Sequence, residues 1–378
     1  MVSVCIISPN ILPLLLPESK IPVVGGIEVQ ESLVARLISK KNRVTFISFD
    51  LGINPRHFPK TPFSLLTFPS SRASDGEARR LLNVLLFAKA MNNAQADVYF
   101  MMGGNHLVGL AAIYCILRRK KFIFQVASQK DLNPQTIKGL IARLSYKMGI
   151  IYAYSALVQT EDQRKHFVSQ YHRVADVVPN PIDLPQPYSK DSETDGSIIW
   201  VGTIRRWKRP DLLVEVAKQI PDGKFKLFGP PLREEEDYYK SVQLAASSTP
   251  NLQLHGFLPH AEMLSEYRKA RILVNTSEFE GFSNTFLEAW SNYVPVVSLK
   301  CDPDEIICRY KLGFHSRDIN QMKLDIARLM DDGRLTRELG LNGRRYVEAH
   351  HSSKVISDSY EEHFTRATKR KSGPARVG

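Results

Sequence analysis

Cysteine is scarce in this sequence, four in 378 residues, and Cys5, Cys115, Cys301 and Cys308 form no pattern of metal ligands. Cys301 and Cys308 have six residues between them and no histidine placed to complete a zinc set, so free thiols in a reducing compartment are expected. Long apolar runs are missing too. The longest, Val108 to Leu117, is about half of what a membrane-crossing helix needs. Met1 to Ser8 enters an apolar segment directly, without the basic lead-in of a signal peptide, so a cytoplasmic protein is expected. No helical stretch interleaves basic residues with stacking aromatics, which argues against a nucleic-acid partner.

What is present describes a globular chain. Hydrophobic residues make up 43 % and charged residues 24 %, and the length suits two domains better than one core. The net charge of +12 is unevenly spread. Residues 1–180 hold 22 Lys and Arg against 11 Asp and Glu, residues 181–365 hold 24 against 28, and the last thirteen hold five against none. A basic half joined to a mildly acidic one points to an anionic partner for the basic half, with Arg118-Arg119-Lys120-Lys121 its densest cluster, unless the excess is only solvated surface.

Apolar β-rich runs alternate with helical spacing through the first half: strands at 2–8, 43–49, 98–102, 121–127 and 156–159, helices at 28–39, 79–92, 109–118 and 136–152. Pro179-Asn-Pro-Ile-Asp183, Pro185, Pro187 and a polar run mark a linker at 181–196. The same alternation then resumes, from a strand at 197–204 to one at 295–299. The expectation is α/β, two Rossmann-like doubly wound domains facing across a cleft: 1–180, then 197–350, with a C-terminal helix and a disordered basic tail over 351–378.

Chemistry concentrates in three places. In Glu280-Gly-Phe-Ser-Asn-Thr-Phe-Leu-Glu288, Gly281 permits close backbone approach and Ser283 suits a helix N-cap. The helix start offers an anion site, and Asn284 and Glu288 share one face of that helix. Glu280 and Glu288 then bracket a phosphate, gripping the hydroxyls of a sugar and of a ribose, unless both are only solvated helix charges. In Val201-Gly-Thr-Ile-Arg205-Arg-Trp-Lys208-Arg-Pro210, cations follow a strand and Pro210 opens a helix, an arrangement for holding a diphosphate unless it is only a solvated basic loop. Gly25 and Gly26 either let backbone N–H groups approach a phosphate or simply make a tight turn.

These segments, with Val178-Pro-Asn-Pro-Ile-Asp183, resemble in order the motifs of retaining glycosyltransferase family four, the group 1 glycosyltransferases of GT-B fold, over about residues 23–300. Glu280 and Glu288 fall on the family's Glu-x7-Glu pair and Lys208 on its diphosphate lysine. The family's arginine position is Thr203 here, so Arg205 takes the role, or else Arg206, with Arg205 favoured. The resemblance implies a metal-independent, cofactor-free enzyme moving a hexose with retention from a nucleoside-diphosphate sugar to a glycan or lipid-linked acceptor, in cell-surface polysaccharide or glycolipid synthesis. Catalysis would rest on Glu280, Arg205 and Lys208. Donor binding would add Gly25, Gly26, Gly281, Phe282, Ser283, Asn284 and Glu288. On the acceptor side, the family's usual histidine is replaced by Ala127 or Ser128, leaving Ser128 and His106 as candidates. Glycine, usual before the Pro-Val-Val strand, is Asn292-Tyr293, with Asn292 expected to supply the left-handed turn. Base recognition is expected near Gly229 and Gly256-Phe257. The basic half and tail would meet an anionic membrane face. A nucleotide-sugar epimerase of the same architecture is the main alternative, and a nucleic-acid-binding protein a remoter one.

Overall fold

The computed structural model describes residues 1–16, 25–52, 61–70 and 76–369, which form two compact units, 1–181 with 353–378, and 182–352. The first is built on seven parallel strands: β1 (Ser3–Ile7), β2 (Arg43–Asp50), β3 (Ser64–Pro69), β4 (Val98–Met102), β5 (Lys121–Gln125), β6 (Ser155–Val158) and β7 (Asp176–Val177), in the order β3-β2-β1-β4-β5-β6-β7. Strands such as Val4-Cys-Ile-Ile7 and Val98-Tyr-Phe-Met-Met102 are continuously apolar because helices cover both faces of a parallel sheet. The covering helices are α1 (Leu12–Leu15), α2 (Gly26–Ile38), α3 (Glu77–Ala94), α4 (Leu107–Leu117), α5 (Leu140–Tyr152) and α6 (Glu161–Tyr171). α4 and α5 touch backbone to backbone, since a Cβ on Gly149 would meet Gly109 at 2.9 Å.

The second unit repeats the plan with β8 (Ser197–Val201), β9 (Phe225–Phe228), β10 (Leu252–Gly256), β11 (Ala270–Asn275), β12 (Val296–Ser298) and β13 (Gly313–His315), ordered β10-β9-β8-β11-β12-β13 and all parallel. Its helices are α7 (Pro210–Gln219), α8 (Glu236–Ser247), α9 (His260–Lys269), α10 (Asn284–Ser291), α11 (Ile306–Arg309), α12 (Ile319–Asp331) and α13 (Gly333–His350). The α/β, doubly wound class expected from the sequence is what each unit shows.

Three details differ from expectation. The left-handed residue before β12 is Tyr293, at φ 59°, while Asn292 stays at φ −105°. Asn292 instead ties the turn down, its side-chain amide donating to Glu288 O at 2.8 Å. The last helix, α14 (Ser353–Lys369), returns to the first unit, where Ile356, Tyr360, Phe364 and Ala367 join the core beside Val34, Ile38 and Phe100. The basic tail is therefore helical through Lys369, and Arg366 pairs with Asp176 at 2.8 Å. The rest of the expected disordered tail, 370–378, lies outside the described residues.

Candidate donor site

In each sheet the order of strands reverses once. In the second unit the reversal lies between β8 and β11, which pair side by side from Ser197 and Ala270 onward. Ligands of doubly wound sheets bind beyond the carboxyl ends of the strands at such a reversal. Here β8 runs into the cationic loop 202–209 and β11 into the loop 276–283.

The two loops are fastened together. Trp200 on β8 is buried and donates its indole N–H to Thr276 Oγ1 at 2.9 Å, and the Thr276 hydroxyl donates to Lys208 O at 2.7 Å. The Glu278 N–H donates to Trp207 O at 2.9 Å, and the rings of Trp207 and Phe279 stack with centroids 4.8 Å apart. β9, for its part, must be followed by glycine. A Cβ at Gly229 would fall 1.8 Å from Gly202 O, so the chain leaving β9 crosses too near for any side chain.

This frame brings Lys208 and Glu280, 72 residues apart in sequence, into an ion pair of 2.9 Å with side chains 16 % and 11 % exposed. Glu280 Oε1 also accepts from the Ser277 hydroxyl at 2.7 Å. Arg205 is half-buried and its buried Nε has no hydrogen-bond partner. Arg206 turns away, its guanidinium over the Tyr238 ring at 5.1 Å. Arg209 clasps Asp211 at 2.9 Å. Burial alone would raise Asp211, but hydrogen bonds from Arg209 and Tyr238 outweigh it and hold the carboxyl below its ordinary value.

Beyond Glu280, Gly281 is half-buried in the loop. Phe282 is buried, its ring packed on His351 at 4.6 Å and edge-on to Trp290. Ser283 holds the N-cap position of α10 but does not cap with its hydroxyl, which pairs with Thr285 Oγ1 at 2.9 Å. Asn284 opens the helix and Glu288 follows one turn later, its Oε1 3.3 Å from His260 Nε2. Glu288 also borders Tyr267, whose hydroxyl is driven well above its ordinary pKa by burial and then by that carboxylate.

The first unit carries the other named residues. Gly25 is the N-cap of α2 and Gly26 its first residue. His106 is the N-cap of α4 and borders a cavity of about 680 Å³ with Phe49, Phe68, Phe87 and Lys138. The ring is exposed, yet the protein packed around it disfavours the cation and lowers its pKa. Ser128 does not border that cavity. It caps a short helical turn with Asp131, which binds the N–H groups of Ala127, Ser128 and Gly104 at 2.8, 2.8 and 2.9 Å.

Of the cysteines, Cys5, Cys115 and Cys301 are buried and Cys308 is exposed, all with free thiols. Where the sequence offered no histidine to join Cys301 and Cys308 in a zinc set, the fold brings one to Cys308 alone: Asp302, Cys308 and His315 place one ligand atom each within 4.8 Å of one another. They are the one grouping among the described residues that could hold a metal ion, and Asp302-Pro303-Asp304 has the Asp-x-Asp spacing. The carboxylate of Asp302 is already engaged, accepting from the N–H groups of Ile307 at 2.7 Å and Cys308 at 3.3 Å. Sequence reasoning also missed Ser277 and His260. Ser277 stands only three residues before Glu280, but His260 stands 28 residues from Glu288 with no local signal to announce it.

The family model described as glycosyl transferases group 1 matches residues 187–346. The capsular polysaccharide biosynthesis glycosyltransferase CapM of Staphylococcus aureus is 27 % identical over 198 residues, 50 % of this chain and 51 % of that protein. The poly(glycerol-phosphate) alpha-glucosyltransferase of Bacillus subtilis is 36 % identical over 90 residues, 23 % of this chain and 12 % of that one. The chain thus spans about half the length, or less, of the curated relatives it matches. Among solved structures, HepE of Anabaena in complex with UDP and glucose superimposes with a TM-score of 0.76 at 15 % identity, covering 97 % of this chain and 100 % of that one. The fold is GT-B. Among the described residues no helix is long and apolar enough to cross a membrane.

Proposed function

We propose, from the match of residues 187–346 to the group 1 glycosyl transferase model, that this chain moves a hexose from a nucleoside-diphosphate sugar to a glycan or lipid-linked acceptor, with retention and without a required metal. The observation that carries the reading is the Lys208–Glu280 pair, held where β8 and β11 end at the sheet's reversal. The bound UDP of the HepE structure favours a uridine donor, and the CapM and glucosyltransferase likenesses favour cell-surface polymer synthesis.

The cations of the 202–209 loop and the first turn of α10 receive the diphosphate, and fixed charges there stabilise the leaving group as its negative charge develops. The unpartnered Nε of Arg205, against the engaged Arg206, supports Arg205 as the second cation. Glu280 accepts hydrogen bonds from hexose hydroxyls, and Glu288 from the ribose. The bond between the anomeric carbon and the diphosphate oxygen breaks as the acceptor oxygen bonds the same face of that carbon. The acceptor's proton passes to the departing diphosphate.

Release of nucleoside diphosphate that requires both donor and acceptor is the expected result, from a panel of UDP-, GDP- and ADP-sugars screened first by thermal shift. Lys208→Ala and Glu280→Ala should each lower kcat/KM by roughly 10² to 10³. Unchanged turnover in both variants sinks the assignment, and sugar interconversion without an acceptor would favour the epimerase.

A further inference from the structure

The sequence directs attention to the cations of the first unit, but the structure shows large apolar side chains in solvent among them. On α5, Leu140, Ile141 and Leu144 are 68 %, 84 % and 55 % exposed, and Met148 and Tyr152 continue the row along the same face. Arg143 and Lys147 flank that row on its own helix. On α3, Leu81 and Leu85 are 63 % and 60 % exposed, with Leu82 beside them and Arg79 and Lys89 along the flanks. Scattered exposed leucines need no explanation, but two rows on helices that border one cavity do.

The cavity is the one that His106 borders. Its walls are Arg80, Val84 and Phe87 of α3, Leu110 of α4, and Ile137 and Lys138 leading into α5. It is therefore an apolar trough with a cation on each side, and the exposed rows lie on the outer faces of the helices that form it. Over residues 76–152 the chain holds eleven Lys and Arg against three Asp and Glu, and one of those three, Asp131, is buried. Apolar rows edged by basic residues fit the interface of an anionic bilayer, where side chains sink among the headgroups and cations meet phosphates.

We propose that the outer faces of α3 and α5 dock this chain on an anionic lipid bilayer, and that the cavity between them admits a phosphorylated amphiphile from that bilayer. The apolar portion lies along Val84, Phe87 and Leu110, and the phosphate meets Arg80 and Lys138. That this amphiphile is the sugar acceptor rests on the transferase reading; the docking does not.

The test is flotation of the full chain with vesicles. Vesicles of phosphatidylcholine with phosphatidylglycerol should carry it, and vesicles of phosphatidylcholine alone should carry at least about tenfold less. Ile141→Glu with Leu144→Glu, both at exposed positions, should lower binding to anionic vesicles by about tenfold or more, since charge on an inserting face opposes burial in the interface. Doping neutral vesicles with a prenyl phosphate should recruit the intact chain. Val84→Trp, which fills the cavity, should abolish that recruitment while leaving binding to anionic vesicles intact, which also reports that the variant folds. No flotation of the intact chain overturns the proposal, as does flotation indifferent to the paired glutamates. A dimer that those glutamates dissociate, without vesicle binding, would assign the face to a second copy instead. Thermal shift with the sugar nucleotide is read in parallel: its loss in the intact chain would sink the transferase reading alone.

Discussion

At the scale of single residues, which arginine joins Lys208 is decided by which guanidinium groups are already engaged. Arg206 has an aromatic face beneath it and Arg209 has Asp211, whereas the buried Nε of Arg205 has no hydrogen-bond partner. A diphosphate entering this loop costs least where no existing pair has to be broken. Arg205→Ala should therefore lower kcat/KM by about a hundredfold, and Arg206→Ala by no more than a few-fold, measured as steady-state nucleotide release under identical donor concentrations. Glu31 makes the opposite kind of case. It is buried on α2, accepting from the Ser8 hydroxyl and, at 3.4 Å, from the Met102 N–H. Burial drives its pKa well above the ordinary value near 4.5, and the Ser8 hydrogen bond offsets only part of this. A carboxyl that holds its proton more tightly folded than unfolded stabilises at low pH, and that contribution is lost as pH rises through the folded pKa. Glu31→Gln should accordingly gain stability over the native chain progressively from pH 4.5 upward, and match it below, in denaturant midpoints measured across pH.

At the scale of elements, the order of strands and helices was largely legible because parallel strands buried on both faces read as unbroken apolar runs, Val98 to Met102 being an example. What escaped was half-buried or polar. β3, Ser-Leu-Leu-Thr-Phe-Pro over 64–69, is an edge strand with a single buried residue. α6, Glu-Asp-Gln-Arg-Lys-His-Phe-Val-Ser-Gln-Tyr over 161–171, buries only Gln163, Phe167 and Tyr171, too sparse a stripe to stand out. In the site, the loops and their residue types were readable, because a strand, a turn and a helix start are local features. The fastening was not: Trp200 to Thr276, Trp207 to Phe279 and Lys208 to Glu280 each span more than 70 residues. No periodicity encodes which side chains meet across two strands that the sheet places side by side. The left-handed residue was placed one position too early, on Asn292. Tyr293 is the C′ residue of the Schellman turn that closes α10, its N–H donating to Trp290 O at 3.1 Å and that of Val294 to Ala289 O at 2.9 Å.

At the scale of the whole molecule, the chain does not finish where its second unit finishes. The first unit is closed by α14, which arrives only after residue 352 has been made, and it supplies side chains that nothing earlier in the chain replaces. Ile356, Tyr360, Phe364 and Ala367 are at most 3 % exposed, Tyr360 and Phe364 lie edge-on to Phe100, and the Tyr360 hydroxyl donates to Gln125 on β5 at 2.8 Å. Burying the three larger side chains is worth roughly 1.5 to 3 kcal/mol each, an amount comparable to much of a domain's net stability. Truncation after Ser352 should thus unfold the first unit selectively. Its helices should become protease-sensitive, with Gln125 left without the Tyr360 hydroxyl and the Val34, Ile38 and Phe100 surface uncovered. The second unit keeps its own two cores, so its protection by a sugar nucleotide in limited proteolysis should survive the truncation. Equal loss of both units, or of neither, would contradict the division of the core that the structure shows.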